Sequence, residues 1–522
     1  MPTRNIFGHC HYYVVLVCVF SLACTPSDQR EQPHTIYSLA LPGVRIEQDT
    51  PRFLVHFGSL AFLNDLIFDS LVGHDEQLRV IPRLASFWEE SADKKTWTIH
   101  LRPNVRFHNG TELTADDVRF TIMKAMEIPT PFSYSLQMID TIDTIDRHVL
   151  VIKLKQPSAS FLDSLGVEIL SKGDIEHGLS TQRNLYPVGT GPYKVERWGD
   201  KQIMLVANQE YFLGKPSLPA ILVQLYPSLE MAWSQLMAGT VDIFPYISPA
   251  NGAHLLKVPT IRVYSTLKPY YYLLAFNLGS SFFREKTVRQ ALNYGIDKEQ
   301  IVRTVLKGHG RVAQGVVYPY SWAYTAELPL YNYQPQKAAM LLKQAGWSDT
   351  DGDHILDRNE KRFEFSIDTN LGDDLKQQAL LLIQQQLLDL GIIMHVRFFD
   401  TTDTDFLFEK RFDAHFPEID AGGDPDLGYK VWHSSQIDHG FNFGSYRNAK
   451  VDQLLEEGRR TFDQADRKVI YGKFQREILE DPPGIFLFWV DRLVGINERI
   501  KGVKIRPDKP FANIHEWYVE DN

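Results

Sequence analysis

The stretch "LKQQALLLIQQQLLDLGIIMHVRFF" (residues 375–399) joins two apolar periodicities through a single glycine. Its first part carries apolar residues at the three- and four-residue spacing of a helix: Leu375, Ala379, Leu380, Ile383 and Leu387. After Gly391 the pattern changes to the two-residue alternation of a strand: Ile392, Met394, Val396 and Phe398. A helix, a glycine and a strand in this order predict an αβ unit of a layered sheet domain, and therefore an α/β protein.

The same mixture of helical and strand patterns continues along the chain. Residues 97–113, "WTIHLRPNVRFHNGTEL", alternate in two runs that are followed by an Asn-Gly turn, which predicts strands and a hairpin. Directly afterwards, Thr114 with Asp117 three residues on predicts a helix start. Residues 463–480 are predicted to form an amphipathic helix, and "GIFLFWV" (484–490) is apolar on both faces, as in a parallel or central strand.

The first 23 residues have the composition of a secretory signal peptide. They carry Arg4 and then the apolar run "YYVVLVCVFSLA", which is too short for a membrane span of about 20 residues. Ala23 directly before Cys24 predicts cleavage by a lipoprotein signal peptidase and lipidation of Cys24; the alternative is an ordinary secretory signal. The polar residues 24–35 then predict a flexible tether. We therefore expect a protein anchored by lipid on the periplasmic or cell-surface side of a bacterial membrane.

Composition excludes several classes of protein. Cys10 and Cys18 leave with the signal peptide, so neither cysteine catalysis nor a disulfide framework is expected. The formal charge of −10 and the absence of a Lys/Arg-rich block argue against nucleic acid as a partner. Removing residues 1–23 from the 522-residue chain leaves 499, which exceed one hydrophobic core and predict two or three domains.

Motifs of common enzyme classes are missing from the sequence. It contains no G-x-S-x-G nucleophile elbow, no G-x-x-x-x-G-K-[ST] phosphate loop and no H-E-x-x-H zinc motif. Carboxylates are numerous, but no pair is singled out as the acid and base of a glycosidase. We therefore expect a protein that is not an enzyme and that requires no cofactor.

Several blocks of sequence follow one another along the chain after the tether, among them "LLAFNLGSSFFREKTVRQALNYGIDKEQIV" (273–302) and "AGWSDTDGDHILD" (345–357). The others are "FDSLVGHDEQLRVIPRLASFWEESADKKTWTIHLRPNVRFHNGTELTADDVRFTI" (68–122), "VGTGPYKVERW" with "NQEYFLGKPSLPAI" (188–221), "LMAGTVDI" (236–243) and "GGDPDLGYKVWHSS" (422–435). In these blocks the chain resembles the family 5 extracellular solute-binding proteins, the peptide, dipeptide and nickel receptors of ABC importers. Local departures are Phe87, where the family has Ser, and the missing Gly-Trp before the acidic stretch of the last block.

The resemblance implies a class II periplasmic-binding-protein fold, with two lobes, a hinge and a satellite domain. Lobe I would combine residues 36–50, 188–265 and 478–522. The satellite domain of lobe I would span 51–187, and lobe II would span 266–477. Ligand would bind between the lobes, whose closure would present a surface to a membrane permease.

The resemblance also implies which residues contact ligand. Asp420 corresponds to the aspartate that pairs with the ligand's α-amino group in peptide-binding relatives, although it lies four residues before Asp424 where relatives usually have three. Asp424 is the second candidate; alternatively, it holds a loop turn together with Asp426. Four further candidates either line the cleft or pack in the core: Tyr270, Tyr272, Asn277 and Trp322.

By this resemblance the protein is expected to be a receptor that binds oligopeptides or dipeptides and delivers them to ABC permease subunits, and that acts as a monomer. Within the same fold, the ligand is alternatively a nickel chelate or another small solute, because a fold does not determine its ligand. A peptide-sensing receptor without transport is a further alternative. A hydrolase is disfavoured by the missing motifs.

One acidic stretch resembles a calcium-binding loop. In "DTDGDHILDRNE" (349–360), five oxygen-bearing residues take the ligand spacing of an EF-hand: Asp349, Asp351, Asp353, Asp357 and Glu360. His354 stands where the loop needs glycine, so a positive φ is expected there. The stretch therefore predicts either a structural calcium site or an acidic turn whose side chains bond to its own backbone.

Overall fold

The computed structural model describes residues 36–42, 62–127, 131–176, 186–255, 258–329, 331–399, 405–438 and 440–520. The predicted signal peptide, Cys24 and the tether therefore lie outside the described residues.

The strands, in chain order, are β1 Ile36–Pro42, β2 Val72–His74, β3 Val80–Pro82, β4 Ala85–Glu90, β5 Thr96–Leu101, β6 Ile139–Asp146, β7 Val149–Leu154, β8 Tyr193–Trp198, β9 Gln202–Ala207, β10 Ala220–Tyr226, β11 Ile243–Ile247, β12 Ile261–Phe276, β13 Gly310–Val312, β14 Asp357–Arg358, β15 Lys361–Arg362, β16 Glu364–Asn370, β17 Ile393–Phe399, β18 Ala414–His415, β19 Glu418–Asp420, β20 Gly484–Asn497, β21 Ile500–Lys501 and β22 Tyr518–Val519. The α-helices are α1 Asn64–Ile67, α2 Ala115–Glu127, α3 Pro131–Leu136, α4 Lys172–Glu176, α5 Leu229–Met237, α6 Pro249–Leu255, α7 Lys286–Gly295, α8 Lys298–Thr304, α9 Pro335–Gln344, α10 Asp374–Leu388, α11 Asp405–Phe408, α12 Tyr429–Trp432, α13 Ala449–Arg460 and α14 Gln464–Glu480.

The predicted αβ unit is present as α10 and β17. The side chain of Asp373 accepts a hydrogen bond from the backbone N–H of Lys376 and begins the helix. Gly391 ends the connection at φ +77, and a Cβ there would lie 2.9 Å from the carbonyl oxygen of His354, so only glycine fits without strain. The predicted burial of alternate residues along this strand is wrong at its last position, because Phe398 is 49% exposed.

The largest sheet among the described residues has twelve strands. Its order is β17-β16-β18-β12-β20-β11-β1-β10-β9-β8, with β13 and β19 paired at the side to β20 and β12. The long strands β12 and β20 run antiparallel through its middle, in a register that starts at Ile261 opposite Asn497. The predicted buried strand 484–490 is therefore central in the sheet, as expected, and its partners are antiparallel.

A smaller sheet has the order β4-β5-β7-β6 and packs with α2. At the start of α2, the backbone N–H and the hydroxyl of Thr114 both donate to one carboxylate oxygen of Asp117, which confirms the predicted helix start. The tight turn predicted before it is present, with Gly110 at φ +86. The prediction of a second strand in that hairpin is wrong, because the pairing there consists of one isolated bridge between Arg106 and Glu112.

Apolar side chains collect in several cores. One draws only on residues between 71 and 169, and another combines 37–41 and 62–68 with later segments up to Trp517. Two more lie mainly between 267 and 490, and β20 contributes to the cores on both sides of the large sheet. The division into lobe I, satellite domain and lobe II at the stated boundaries stays a prediction. In the part of the chain that the structure describes, no helix is long and apolar enough to cross a membrane.

Candidate functional site

A cavity of about 1160 Å³ lies among segments that are distant in sequence. Its lining comes from residues between 72 and 170, from 269–276 and from residues between 368 and 446. Pro483, Asp508 and Lys509, nearer the C-terminus, complete the lining. Its volume lies above the roughly 300–1,000 Å³ of most small-molecule pockets, so it can hold a ligand larger than a typical small molecule.

Asp420 lines this cavity and is its least compensated carboxylate. It ends β19 opposite Tyr270 of β12, and its side chain accepts a hydrogen bond of 2.8 Å from the backbone N–H of Gly422. Among the described residues, no Lys, Arg or His side chain forms an ion pair with it. The side chain is open to the cavity but lies deep in the protein, and this desolvation raises its pKa even though the charge of Lys430 opposes the shift.

Other charges along the cavity are paired. The imidazole of His74 lies between Asp163, 3.1 Å from Nε2, and Asp508, 3.1 Å from Nδ1. Burial alone would lower the pKa of His74, but the hydrogen bonds to these two carboxylates outweigh it and raise the pKa to about 10. Lys509 lies 3.1 Å from Glu168. Each of these groups has an oppositely charged partner within the protein, whereas Asp420 has no ion pair among the described residues.

Asp424 and Asp426 also border the cavity, but arginines hold their carboxylates. The guanidinium of Arg467 binds both oxygens of Asp424 at 2.6 and 2.7 Å, and Asp424 also accepts from the backbone N–H of Asp426. Asp426 is bound by Arg459 at 3.0 Å and by the hydroxyl of Ser160 at 2.6 Å. The position of Asp424 therefore corresponds to the alternative in which it holds a loop turn, and not to a carboxylate free for a ligand.

The two tyrosine candidates differ in position. Tyr270 lines the cavity, and the charge of Asp420 beside it raises its pKa. Tyr272 is 4% exposed and is not among the lining residues. Its ring stacks on Phe488 at 4.8 Å, and its hydroxyl donates to Glu418 at 2.9 Å. Tyr272 therefore packs between the cavity wall and the core.

Neither Asn277 nor Trp322 lines the cavity. The amide nitrogen of Asn277 donates to the carbonyl oxygens of Lys410 and Phe412, at 3.1 and 2.8 Å, so its position matches a structural role at the end of β12. Trp322 makes an edge contact with Tyr471, with ring centroids 6.4 Å apart. Direct contact between either residue and a ligand in this cavity is not expected from these positions.

The acidic loop 349–360 lies apart from the cavity. Its carboxylates accept hydrogen bonds from its own backbone, including those from Gly352 and His354 to Asp349 at 2.7 and 3.0 Å. His354 has φ +69, which confirms the positive φ expected from its place in the loop. Oxygens of Asp349, Asp351 and Asp353 lie within 4.8 Å of one another.

The last two residues of the predicted calcium ligand set, Asp357 and Glu360, are a carboxylate that already accepts hydrogen bonds and a residue in a tight turn. Asp357 accepts from the backbone N–H and the hydroxyl of Thr350, at 2.8 and 2.7 Å, and these bonds lower its pKa. Glu360 lies in the turn between β14 and β15, at φ +63. Asp353 pairs with Arg362 at 2.7 Å. These contacts favour the acidic, self-bonded turn over the calcium site.

We expect calcium removal to leave the stability of the protein unchanged. If the turn is held by its own hydrogen bonds, adding EDTA or millimolar calcium should shift the melting temperature by less than about 1 °C, because a ligand stabilises only when it binds the native state. Differential scanning calorimetry measures this. A rise of several degrees with calcium, lost in the Asp349→Asn variant, would establish the calcium site instead.

Several residues at the cavity carry no signal in the sequence pattern. The patterns that contain His74 and Lys376 assign no role to either residue, and His415 lies in no quoted pattern, so only the packing of distant segments brings the three to one cavity. An unusual density of aromatic residues between 398 and 443 is the one local sign of what lies there.

Comparison with known proteins adds to this geometry. A family profile described as bacterial extracellular solute-binding proteins, family 5 Middle, matches residues 79–450. The oligopeptide-binding protein AppA of Bacillus subtilis is 30% identical over 482 residues, which cover 88% of this chain and 87% of the relative.

Two solved structures show the same fold. The Bacillus subtilis oligopeptide-binding protein AppA, in complex with a nonapeptide, has a TM-score of 0.78 and 27% identity, and the match covers 93% of this chain and 99% of that one. NikZ of Campylobacter jejuni, in complex with Ni(L-His), has a TM-score of 0.78 and 29% identity over 93% of this chain and 100% of that one. The likeness confirms the predicted class II periplasmic-binding-protein fold. On the profile match and the identity to the Bacillus subtilis relative, the protein belongs to the bacterial extracellular solute-binding proteins of family 5.

Proposed function

We propose that the protein is the extracytoplasmic substrate-binding receptor of an ABC importer, and that it binds peptides in the cavity. The observation that carries the proposal is Asp420, a carboxylate open to the cavity that no cation pairs among the described residues. An ammonium group is the partner that such a carboxylate lacks, and the pair gains strength where water is excluded. The α-amino group of a peptide supplies that ammonium.

The size of the cavity favours oligopeptides over dipeptides. Its volume of about 1160 Å³ is more than a dipeptide or a small metal chelate needs. The relative crystallised with a nonapeptide supports the same length class. Binding requires no covalent step, so we propose that the protein has no enzymatic activity of its own and requires no cofactor.

Mass spectrometry of the ligand retained through native purification tests the proposal. We expect a mixture of peptides of more than two residues, released on denaturation. A single nickel chelate would instead support the alternative that the Campylobacter jejuni neighbour represents. A sugar, or turnover of added peptide by the purified protein, would overturn the proposal.

We also propose that the protein acts as a monomer, anchored by lipid at Cys24 on the outer face of a bacterial membrane, beside the permease subunits that receive the ligand. The Ala23-Cys24 sequence and the polar residues 24–35 support this proposal. A tether of this length lets the folded part approach a permease while diffusion stays within the membrane plane.

Replacing the lipidated cysteine is expected to release the protein. In the Cys24→Ser variant, the protein should move from the membrane fraction to the soluble fraction and lose a metabolically incorporated fatty-acid label, because no thiol remains for acylation. Cys18→Ser is the matched control, since Val17 before it does not fit a cleavage site, and it should change neither result. Membrane retention of Cys24→Ser would contradict the lipid anchor.

A further inference from the structure

Apolar and aromatic residues line one part of the cavity, its aromatic end. Its members line the cavity and are half-buried or buried: Phe399, Leu407, His415, Phe416, Phe441 and Phe443. Phe441 and Phe443 meet at 5.9 Å, and Phe399 meets Phe406 behind it at 4.8 Å. Half-buried rings that face a cavity leave apolar surface that a ligand side chain can cover, with a gain that scales with the area removed from water.

His415 lies within this aromatic end. Its ring makes edge contacts with Phe412 at 5.0 Å and with Phe443 at 6.3 Å. The residue is 9% exposed, and its side chain forms no hydrogen bond or ion pair with any of the described residues. Burial, with a smaller contribution from the charge of Lys376, lowers its pKa to about 3, so the ring is neutral. The ring nitrogens are not among the fully buried atoms that lack a hydrogen-bond partner, and His415 lines the cavity, so the neutral ring offers one donor and one acceptor to a ligand group there.

The aromatic end and Asp420 are separated by a defined length of extended chain. His415 lies opposite Ala275 of β12, and Asp420 lies opposite Tyr270 of the same strand. The two pairs are therefore five residues apart on both strands. At about 3.3 Å per residue, that distance is roughly 16 Å. An extended peptide whose ammonium group binds Asp420, and whose chain runs along β19 towards β18, would bring roughly its fourth to sixth residue to the aromatic end.

We propose that the aromatic end is a specificity subsite for an aromatic side chain that carries one hydrogen-bonding group, above all tyrosine, and that His415 bonds to that group. Tyrosine matches both features of this end, because its ring is apolar and its hydroxyl needs a partner when buried. An aromatic side chain would also gain binding free energy from edge contacts with the surrounding rings, in addition to the gain from buried area. An aliphatic side chain would gain only from buried area. The inference rests on the proposed function and specifies its substrate class.

Titration calorimetry with synthetic hexapeptides tests the subsite on the purified full chain. The probes are hexa-alanine and a series in which a single tyrosine occupies positions 2 to 6. We expect tyrosine at one position among 4 to 6 to tighten binding about tenfold or more over hexa-alanine, and about fivefold over phenylalanine at the same position. In the His415→Phe variant, the preference for tyrosine over phenylalanine should disappear while binding of hexa-alanine persists.

A neighbouring pair of residues supplies a matched control. Phe399 and Phe398 are adjacent in β17, but only Phe399 lines the cavity. Phe399→Leu should reduce the gain from tyrosine several-fold, and Phe398→Leu should leave it unchanged. Thermal unfolding of each variant shows that it is folded, and the comparison of tyrosine with alanine in the unsubstituted protein requires no variant at all.

The outcomes separate this inference from the proposed function. If peptides bind but tyrosine gives no gain at any position, or His415→Phe leaves the preference over phenylalanine intact, the subsite is wrong and the peptide receptor stands. If neither hexa-alanine nor any tyrosine peptide binds, the proposed function fails and the subsite fails with it.

Discussion

Replacing Asp420 with asparagine should weaken peptide binding by about 100-fold. Removing one partner of a buried charge pair costs about 2–5 kcal/mol, and the ammonium group of the ligand would be left in the cavity without a counter-charge. Asparagine keeps an oxygen that accepts from Gly422, so the loop around β19 is retained. Isothermal titration calorimetry with a peptide and with its N-acetylated form measures the effect, and the acetylated form should bind the unsubstituted protein as weakly as the free peptide binds the variant.

Glu364→Gln is a matched control for this change. Glu364 lies in β16 of the same sheet and pairs with His395, and it does not line the cavity. The variant removes one negative charge without touching the site, so peptide affinity should stay within about twofold. Equal losses in both variants would assign the effect to net charge, and an unchanged affinity in Asp420→Asn would place the ammonium group elsewhere.

The pH dependence of binding follows from the same carboxylate. Asp420 must be ionised to bind an ammonium group, so affinity falls as the pH falls and the carboxylate takes up a proton. Because burial raises its pKa above the ordinary value of 3.8, the loss should begin at a higher pH than an ordinary aspartate would give. In the Asp420→Asn variant, this acid-side loss should be absent.

Local patterns predicted the regular elements well because these depend on neighbours in sequence. The helix start at Thr114 and Asp117 and the helix predicted over residues 463–480 both occur, the second as α14. The second strand of the predicted hairpin failed because residues 105–107 fold back through one bridge and then continue into α2. Alternation alone does not specify whether a run of residues has a partner strand.

The site was predictable only where the family resemblance supplied it. Asp420 and Tyr270 lie at the cavity, but no pattern distinguishes Asp420 from Asp424 four residues later. Arg467 makes that distinction: it lies 43 residues further along the chain and binds Asp424 with both nitrogens. The neutral His415 was not predicted for the same reason, because its aromatic surroundings come from separate segments.

Arg467→Met should destabilise the protein by about 3–5 kcal/mol, the largest stability effect we expect from a single substitution. The side chains of Arg467 and Asp424 are each 6% exposed, so removal of the arginine leaves a carboxylate buried and unpaired. Urea unfolding followed by circular dichroism measures the change in the free energy of unfolding. Arg460→Met is the matched control: its pair with Glu456 is exposed, so the loss should stay below about 1 kcal/mol.

The double variant Asp424→Asn/Arg467→Met separates the ion pair from packing. Asparagine removes the unpaired charge but keeps the oxygen that accepts from the backbone of Asp426, so the turn beside Asp420 is retained. We expect the double variant to recover at least about 1–2 kcal/mol relative to Arg467→Met, because the penalty for burying an unpaired charge is removed. If the double variant is as unstable as the single one, the loss comes from the contacts of the arginine side chain with Trp322 and Tyr471, and the charge of Asp424 plays no part in it.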